Sequence, residues 1–247
     1  MKKFNLGVQL YSVRDEITED MDKTLGEIKA MGYDYVQFAG FFGKTAEEAK
    51  ALSDKHGLKN TSIHFGISEI LNETEKTIKD MKTLGIKHFV VPSVPQNIFF
   101  DDWAGTVEMF KKAATICKEN DLFFGYHNHA VEFSDIDGEK VFDKLLKDVG
   151  TDLLLPEFDV GWMESTGEVP AKYLEKYAGF VPLLHLKDYV KTEEKLSFVP
   201  CGSGMLDIPS VIEAADKYGV EDIIVEQDGG CLADIKKSVE YLKSLGL

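Results

Sequence analysis

Eight short apolar runs recur along this 247-residue chain, each followed by a longer amphipathic stretch, and that alternation constrains the fold most. The runs cover residues 5–11, 35–39, 59–64, 88–92, 122–128, 153–159, 182–187 and 222–227. Between them apolar side chains return at helical spacing, as in Met21-Leu25-Ile28-Met31 and Ile78-Met81-Leu84. Strands alternating with helices predict parallel strands joined by crossovers. Gly32, Gly57, Gly85, Gly150 and Gly219 stand between an amphipathic stretch and the next run, where helix ends belong. Thr45 with Glu48 has capping-box spacing, and Ser68 is expected to cap another helix. Pro156 cannot donate to a ladder, so the sixth strand is expected to be short or bulged there.

The expected class is α/β, a (β/α)8 TIM barrel in a single domain spanning residues 1–247, since such barrels typically take about 250 residues. A doubly wound open sheet fits less well. No glycine-rich fingerprint follows the first strand, where Leu10-Tyr11-Ser12-Val13-Arg14 stands instead. Polar groups also end several different runs, as a closed ring permits. No Pro/Gly/Ser-rich linker divides the chain.

Those polar ends carry the chemistry. The stretch Gly125-Tyr126-His127-Asn128-His129-Ala130-Val131-Glu132 places two imidazoles, a carboxamide and a carboxylate at the end of the fifth run. Asp159, His185 and Glu226 end three later ones. Any one of them read alone is a helix cap, a rim charge or a hydrogen-bonded core histidine. Three carboxylates and an imidazole gathered at one barrel mouth would repel unless a cation neutralised them. One divalent metal ion is therefore expected, and the carboxylate excess leans to Mn²⁺, with Mg²⁺, Co²⁺ or Zn²⁺ open. Strand parity puts Lys187 on the face of His185, and Glu157 on the face of Asp159.

Gly7-Val8-Gln9-Leu10-Tyr11-Ser12-Val13-Arg14-Asp15, the His127-Asn128-His129 stretch, Phe158-Asp159-Val160-Gly161-Trp162, Leu184-His185-Leu186-Lys187-Asp188 and Val225-Glu226-Gln227-Asp228 together resemble the xylose isomerase-like TIM-barrel superfamily. The likeness is strongest to its sugar phosphate isomerase/epimerase branch and spans essentially the whole chain. It implies one divalent ion held by Glu132, Asp159, His185 and Glu226. It also implies an isomerase or epimerase in which Glu132 and Glu226 act as the acid/base pair around a metal-stabilised enediolate. Lys187 is then a catalytic cation beside the developing oxyanion, its structural alternative being an ion pair with Glu157 or Asp188. His64, His127, Trp162 and Gln9, with Tyr11 as a weaker candidate, are expected to hold the sugar; core packing is their alternative role. The superfamily also contains lyases and dehydratases, so elimination from a keto-sugar, keto-glycoside or keto-inositol is the main rival reaction. A non-catalytic sugar-binding barrel is a third possibility. The glycines of Pro200-Cys201-Gly202-Ser203-Gly204 would let backbone N–H groups cradle a phosphate, or simply form a loop.

A net charge of −15, with 43 acids against 28 bases, argues against nucleic acid as a partner, and so against the three-zinc endonuclease relatives of this barrel. Three widely spaced cysteines predict no disulfide framework; Cys117 is expected in a helix core and Cys201 in an exposed loop. No signal-like or membrane-length apolar stretch is present, so a cytoplasmic location and a small-molecule sugar partner are expected. A homodimer is compatible with the sequence, which does not decide the oligomeric state.

Overall fold

In the computed structural model, which describes residues 4–247, all eight runs are strands, and they close into one parallel barrel whose order follows the chain. The strands are β1 (Asn5–Gln9), β2 (Tyr35–Ala39), β3 (Lys59–His64), β4 (His88–Val91), β5 (Phe123–His127), β6 (Leu154–Asp159), β7 (Leu183–Leu186) and β8 (Asp222–Val225). The ring closes where β1 pairs with β8 in register Gly7 to Ile224. Several strands stop one or two residues before the expected boundary. Leu10–Val13 is a 3-10 turn, while Lys187, Glu226 and Gln227 lie just beyond their ladders.

Alternation along the strands divides the side chains into two sets. The outward set (Val36, Phe38, Phe89, Phe124, Tyr126, Phe158, Leu184 and Ile223 among others) joins helix residues such as Leu25, Phe110, Phe142 and Val239 in one buried core. Outside β5 and β6, Tyr126 meets Phe99, Phe110 and Phe142 edge to face, at 6.2, 5.2 and 5.9 Å between centroids. Such pairs add about 0.5–1.5 kcal/mol each beyond area burial. The inward set is different. Val90, Leu183 and Ile224 make a small separate apolar cluster, while Gln9, Gln37, Ser62, His127, Glu157 and His185 are buried polar groups. A barrel lumen is normally filled by apolar layers; here much of that space is given to hydrogen-bonded polar groups.

The helix signals hold with two exceptions, one being Gly150, which ends the helix Val141–Val149 at φ 102° and ψ 132°, outside the left-handed helical conformation. The helices Met21–Met31, Thr74–Leu84 and Ile208–Tyr218 end in left-handed Gly32, Gly85 and Gly219, and Thr45–Glu48 forms the full capping box. Ser68 is not a cap. Gly66 takes that position, and Ser68 lies inside the helix Ile67–Asn72, its hydroxyl donating to Glu69. The expectation about Pro156 is also corrected: β6 runs six residues, with Pro156 in register with Tyr126. The ladder to β7 opens only at Glu157, one residue later, so proline stands before that ladder begins. The register shift lies instead between β2 and β3, at Val36 and Phe38.

Cys117 is buried in the helix Trp103–Glu119, as expected. Cys201 is not exposed: it is 3% accessible, its N–H donates to Ser238 Oγ, and its thiol donates to Leu186 O. Two antiparallel ribbons escaped the sequence reading, Asp135–Ile136 with Glu139–Lys140 and Asp188–Lys191 with Leu196–Val199. No helix among the described residues is long and apolar enough to cross a membrane.

Candidate active site

The groups that leave the strands at their C-terminal ends meet over the lumen, where barrels of this architecture carry their chemistry. Asp159 ends β6 and has two jobs. Its Oδ1 accepts the N–H groups of Gly161 and Trp162 at 3.0 Å each, capping the helix Val160–Ser165. That leaves Oδ2 facing the site. Asn128 clamps the ends of β5 and β6 together, its amide accepting from Asp159 N (3.0 Å) and donating to Asp159 O (3.1 Å). Gly161 lets the chain pass the end of β7, since a Cβ there would stand 2.2 Å from the carbonyl oxygen of Lys187.

One donor atom each from His127, Asp159, His185 and Glu226 lies within 4.8 Å of the other three, and all four residues are buried. His185 Nδ1 is 2.6 Å from Glu226 Oε2, and His127 Nε2 is 3.7 and 3.9 Å from Asp159 Oδ2 and Glu226 Oε2. Asp159 Oδ2 and His185 Nε2 are buried without a properly angled hydrogen bond, although Lys187 Nζ and Glu157 Oε2 approach them to 2.8 and 3.2 Å. Converging carboxylates and imidazoles with under-used buried atoms suit a divalent cation. The donor set fits one.

Of the four residues expected to hold the ion, the structure brings Asp159, His185 and Glu226 together and sets Glu132 apart. Glu132 lies in the 3-10 turn Val131–Phe133, one oxygen accepting from Tyr126 Oη and the other from His129 N, each at 2.7 Å. Tyr126 belongs to the outer core, so Glu132 ties the loop after β5 to the helix layer. His127 occupies the converging position instead. Strand parity ends at His127, and nothing in the local pattern distinguishes the two placements.

Lys187 is wholly buried, with Nζ 2.8 Å from Asp159 Oδ2, 3.3 Å from Glu226 Oε2 and 3.1 Å from Asp228 Oδ2. It also lies over the rings of Trp162 (5.7 Å) and Phe198 (5.0 Å), the latter on the ribbon after β7. Its expected structural partners, Glu157 and Asp188, are not among these contacts. Burial disfavours the ammonium, yet the three carboxylates outweigh it and raise the Lys187 pKa. Burial likewise opposes the imidazolium of His185, but Glu157 and Glu226 push its pKa up to about 10. Burial raises Asp159 to about 6. Glu226 is held well below the carboxylate range because Lys187 and His185 overcome its burial. His127 and His129 are lowered chiefly by burial and stand neutral.

A second group lies beneath. Glu157 Oε2 accepts from His64 Nε2 at 2.5 Å and His127 Nδ1 at 3.1 Å and is approached by His185 Nε2 to 3.2 Å, while Oε1 accepts from Gln37 Nε2 at 2.6 Å. Gln37 in turn accepts from Gln9 at 2.5 Å. Burial works against the Glu157 anion, but the surrounding imidazoles keep its pKa well below the usual range. Gln9 is thus part of the support for Glu157. Shared parity with Asp159 was the one sequence signal for Glu157; none singled out Gln37.

Above these groups opens a cavity of about 460 Å³, lined in part by Tyr11, His64, His127, His129, Glu226 and Asp228. That is within the usual range for small-molecule sites. His64 and His127 meet it as expected. Trp162 does not line it: its ring packs between His129 (5.4 Å) and Phe198 (4.7 Å). A larger cleft of about 810 Å³, bordered by Phe4, Tyr35 and Lys243, carries none of these groups. The glycine loop is spoken for as well: the Asp188 carboxylate accepts the N–H groups of Gly202, Gly204 and Leu206 at 2.8–3.1 Å. A Cβ on Gly204 would stand 2.2 Å from Asp188 Oδ1, which accounts for the residue.

The profile of the family described as Xylose isomerase-like TIM barrel matches residues 25–245. A protein named inosose dehydratase from Clostridium beijerinckii is 27% identical over 250 residues, covering 84% of this chain and 82% of that protein. One of the same name from Geobacillus kaustophilus is 21% identical over 193 residues, 68% of this chain; the match spans 61% of that protein's length. Among solved structures, one titled sugar phosphate isomerase/epimerase from Parabacteroides distasonis superposes with a TM-score of 0.85, at 25% identity and 98% coverage of each chain.

Proposed function

The chain belongs to the family of xylose isomerase-like TIM barrels, and from that premise we propose that it is a divalent-metal-dependent dehydratase acting on a polyhydroxylated ketone of the keto-inositol or keto-sugar class. The observation that carries this is the convergence of His127, Asp159, His185 and Glu226 beneath a sugar-sized cavity. These four residues would hold the ion; two imidazoles with two carboxylates move the expected preference from Mn²⁺ toward Co²⁺ or Zn²⁺. When bound, the ion supplies Lewis-acid polarisation of the ketone and counter-charge for the enolate.

The protein's own groups do the rest. Glu226, kept ionised by the Lys187 ammonium and facing the cavity, takes the proton α to the carbonyl. Lys187 holds a fixed positive charge against Asp159 and Glu226, under the cavity floor, where it offsets the negative charge that builds up in the reaction. The same Glu226 carboxyl then returns its proton to the β-hydroxyl, which leaves as water while the Cα=Cβ bond forms. One base serves both proton transfers, so the reaction is balanced without a co-reactant. Epimerisation requires a second group on the opposite face. Glu132, expected in that part, has both oxygens engaged elsewhere. The resemblance to proteins named inosose dehydratase supports the same choice.

A second reading, epimerisation, has one observation in its favour: the neutral imidazole of His129 also lines the cavity and offers another base. The test is to incubate Co²⁺- or Zn²⁺-loaded protein with an inosose and with free ketohexoses in deuterated water. Appearance of a 2-hydroxyenone or its 1,2-diketone tautomer, with loss of water, supports the dehydratase. Epimer carrying deuterium without either dehydration product selects the second reading. No exchange on any polyhydroxy ketone removes both.

A further inference from the structure

We propose that Glu157 is a positioning residue that decides which ring nitrogens of His127 and His185 are offered to the divalent cation, a proposal that rests on reading these two imidazoles as ligands. Each ring spans two layers of the site. His127 points Nδ1 down at Glu157 (3.1 Å) and Nε2 up toward Asp159 and Glu226. His185 is turned the other way, with Nε2 down toward Glu157 (3.2 Å) and Nδ1 up against Glu226 (2.6 Å). One carboxylate oxygen, Glu157 Oε2, therefore addresses opposite nitrogens of the two rings.

An imidazole that gives its hydrogen to a carboxylate presents a lone pair from the other nitrogen. Glu157 selects the Nδ1–H form of His127. His185, whose Nδ1 is hydrogen-bonded to Glu226, keeps its hydrogen on Nε2 facing Glu157 once Nδ1 is ligated. In the metal-bound protein both lone pairs then face the upper group. The carboxylate is itself held in place: Gln37 donates to Oε1, Gln9 donates to Gln37, and His64 donates to Oε2. His64 also stacks on His185 with centroids 5.3 Å apart and planes 6° from parallel, which fixes the plane of that ring. His185 Nε2 lies 3.2 Å from Glu157 Oε2 without a properly angled hydrogen bond, and Glu157 is the anion that faces this nitrogen from below. An amide at position 157 would present one acceptor and one donor where the rings need a shared acceptor.

The experiment combines metal binding with nitrogen NMR on the full chain. Wild type and Glu157→Gln are titrated with Zn²⁺ and Co²⁺ against a chelator of known affinity, and long-range ¹H–¹⁵N correlations report which ring nitrogens carry hydrogen. Outer partners of ligating histidines typically set affinity by roughly 10–100-fold, so a loss of about that size is expected in Glu157→Gln. Zn²⁺-loaded wild type should show His127 bound through Nε2 and His185 through Nδ1. Gln37→Leu, which frees Glu157 Oε1 and leaves every proposed ligand intact, should give a smaller loss in the same direction. Unchanged affinity in a folded Glu157→Gln protein overturns the proposal. So does metal-loaded wild type in which either histidine uses the other nitrogen. If Glu157→Gln does not fold, the wild-type spectra and Gln37→Leu decide. If wild type binds no metal, the ligand reading fails; Nδ1–H on His127 in the metal-free spectrum is then the separate check on Glu157.

Discussion

Lys187 Nζ lies 2.8 Å from Asp159 Oδ2 with both side chains wholly buried, so the site carries its own cation beside the group expected to bind another. Removing the charge in Lys187→Met leaves Asp159 and Glu226 buried without it. Breaking a buried pair costs about 3–5 kcal/mol, and melting should fall by roughly 10 °C for a chain of this size. Added metal should restore much of that loss by neutralising the same carboxylates. Turnover should fall about 10²–10³-fold while metal affinity holds or rises. Calorimetry with and without Co²⁺, together with single-turnover rates, checks both; an unchanged rate would leave Lys187 a purely structural cation.

Metal binding should release a proton. Against its burial, Glu157 and Glu226 hold the His185 pKa at about 10, so in the metal-free protein it is protonated at pH 7–9. Ligation requires the neutral ring. Affinity should therefore fall as pH is lowered, by about tenfold per unit, and the dependence should flatten above about pH 10. A weakly buffered indicator titration with Zn²⁺ at pH 8 reads the release directly. No proton released would remove His185 from the ligand set.

Glu132→Gln separates the two placements of the fifth-strand acid. The carboxamide can keep one of the two bonds to Tyr126 Oη and His129 N. A stability loss of about 1–3 kcal/mol is expected, with metal content equal to wild type. His185→Ala should lose the metal. Elemental analysis that found both variants equally depleted would return Glu132 to the ligands.

Thiol labelling should find one fast cysteine. Burial pushes Cys117 and Cys201 up to about 12, leaving little thiolate at pH 8, whereas Cys231 is half-buried. Mass mapping after brief iodoacetamide treatment should place the label on Cys231. Rapid labelling of Cys201 would contradict its packing against Leu186 and Ser238.

Local order determined most of the fold. Eight apolar runs, a helical period between them and glycine at the junctions all act within a few residues of chain, so strand order and closure were legible. Parity likewise paired Lys187 with His185, and both stand in the site. What tertiary structure alone decided is where a side chain goes once the chain leaves the ladder. Glu132 lies five residues past His127, beyond the reach of alternation, and its direction is set by Tyr126 and His129. Gln9 and Trp162 carry groups suited to sugars, but neighbours 28 and 36 residues away along the chain, Gln37 and Phe198, turn them to support and packing. Glu157 gathers its partners from β2, β3, β5 and β7, and a convergence of that kind exists only once the barrel has closed.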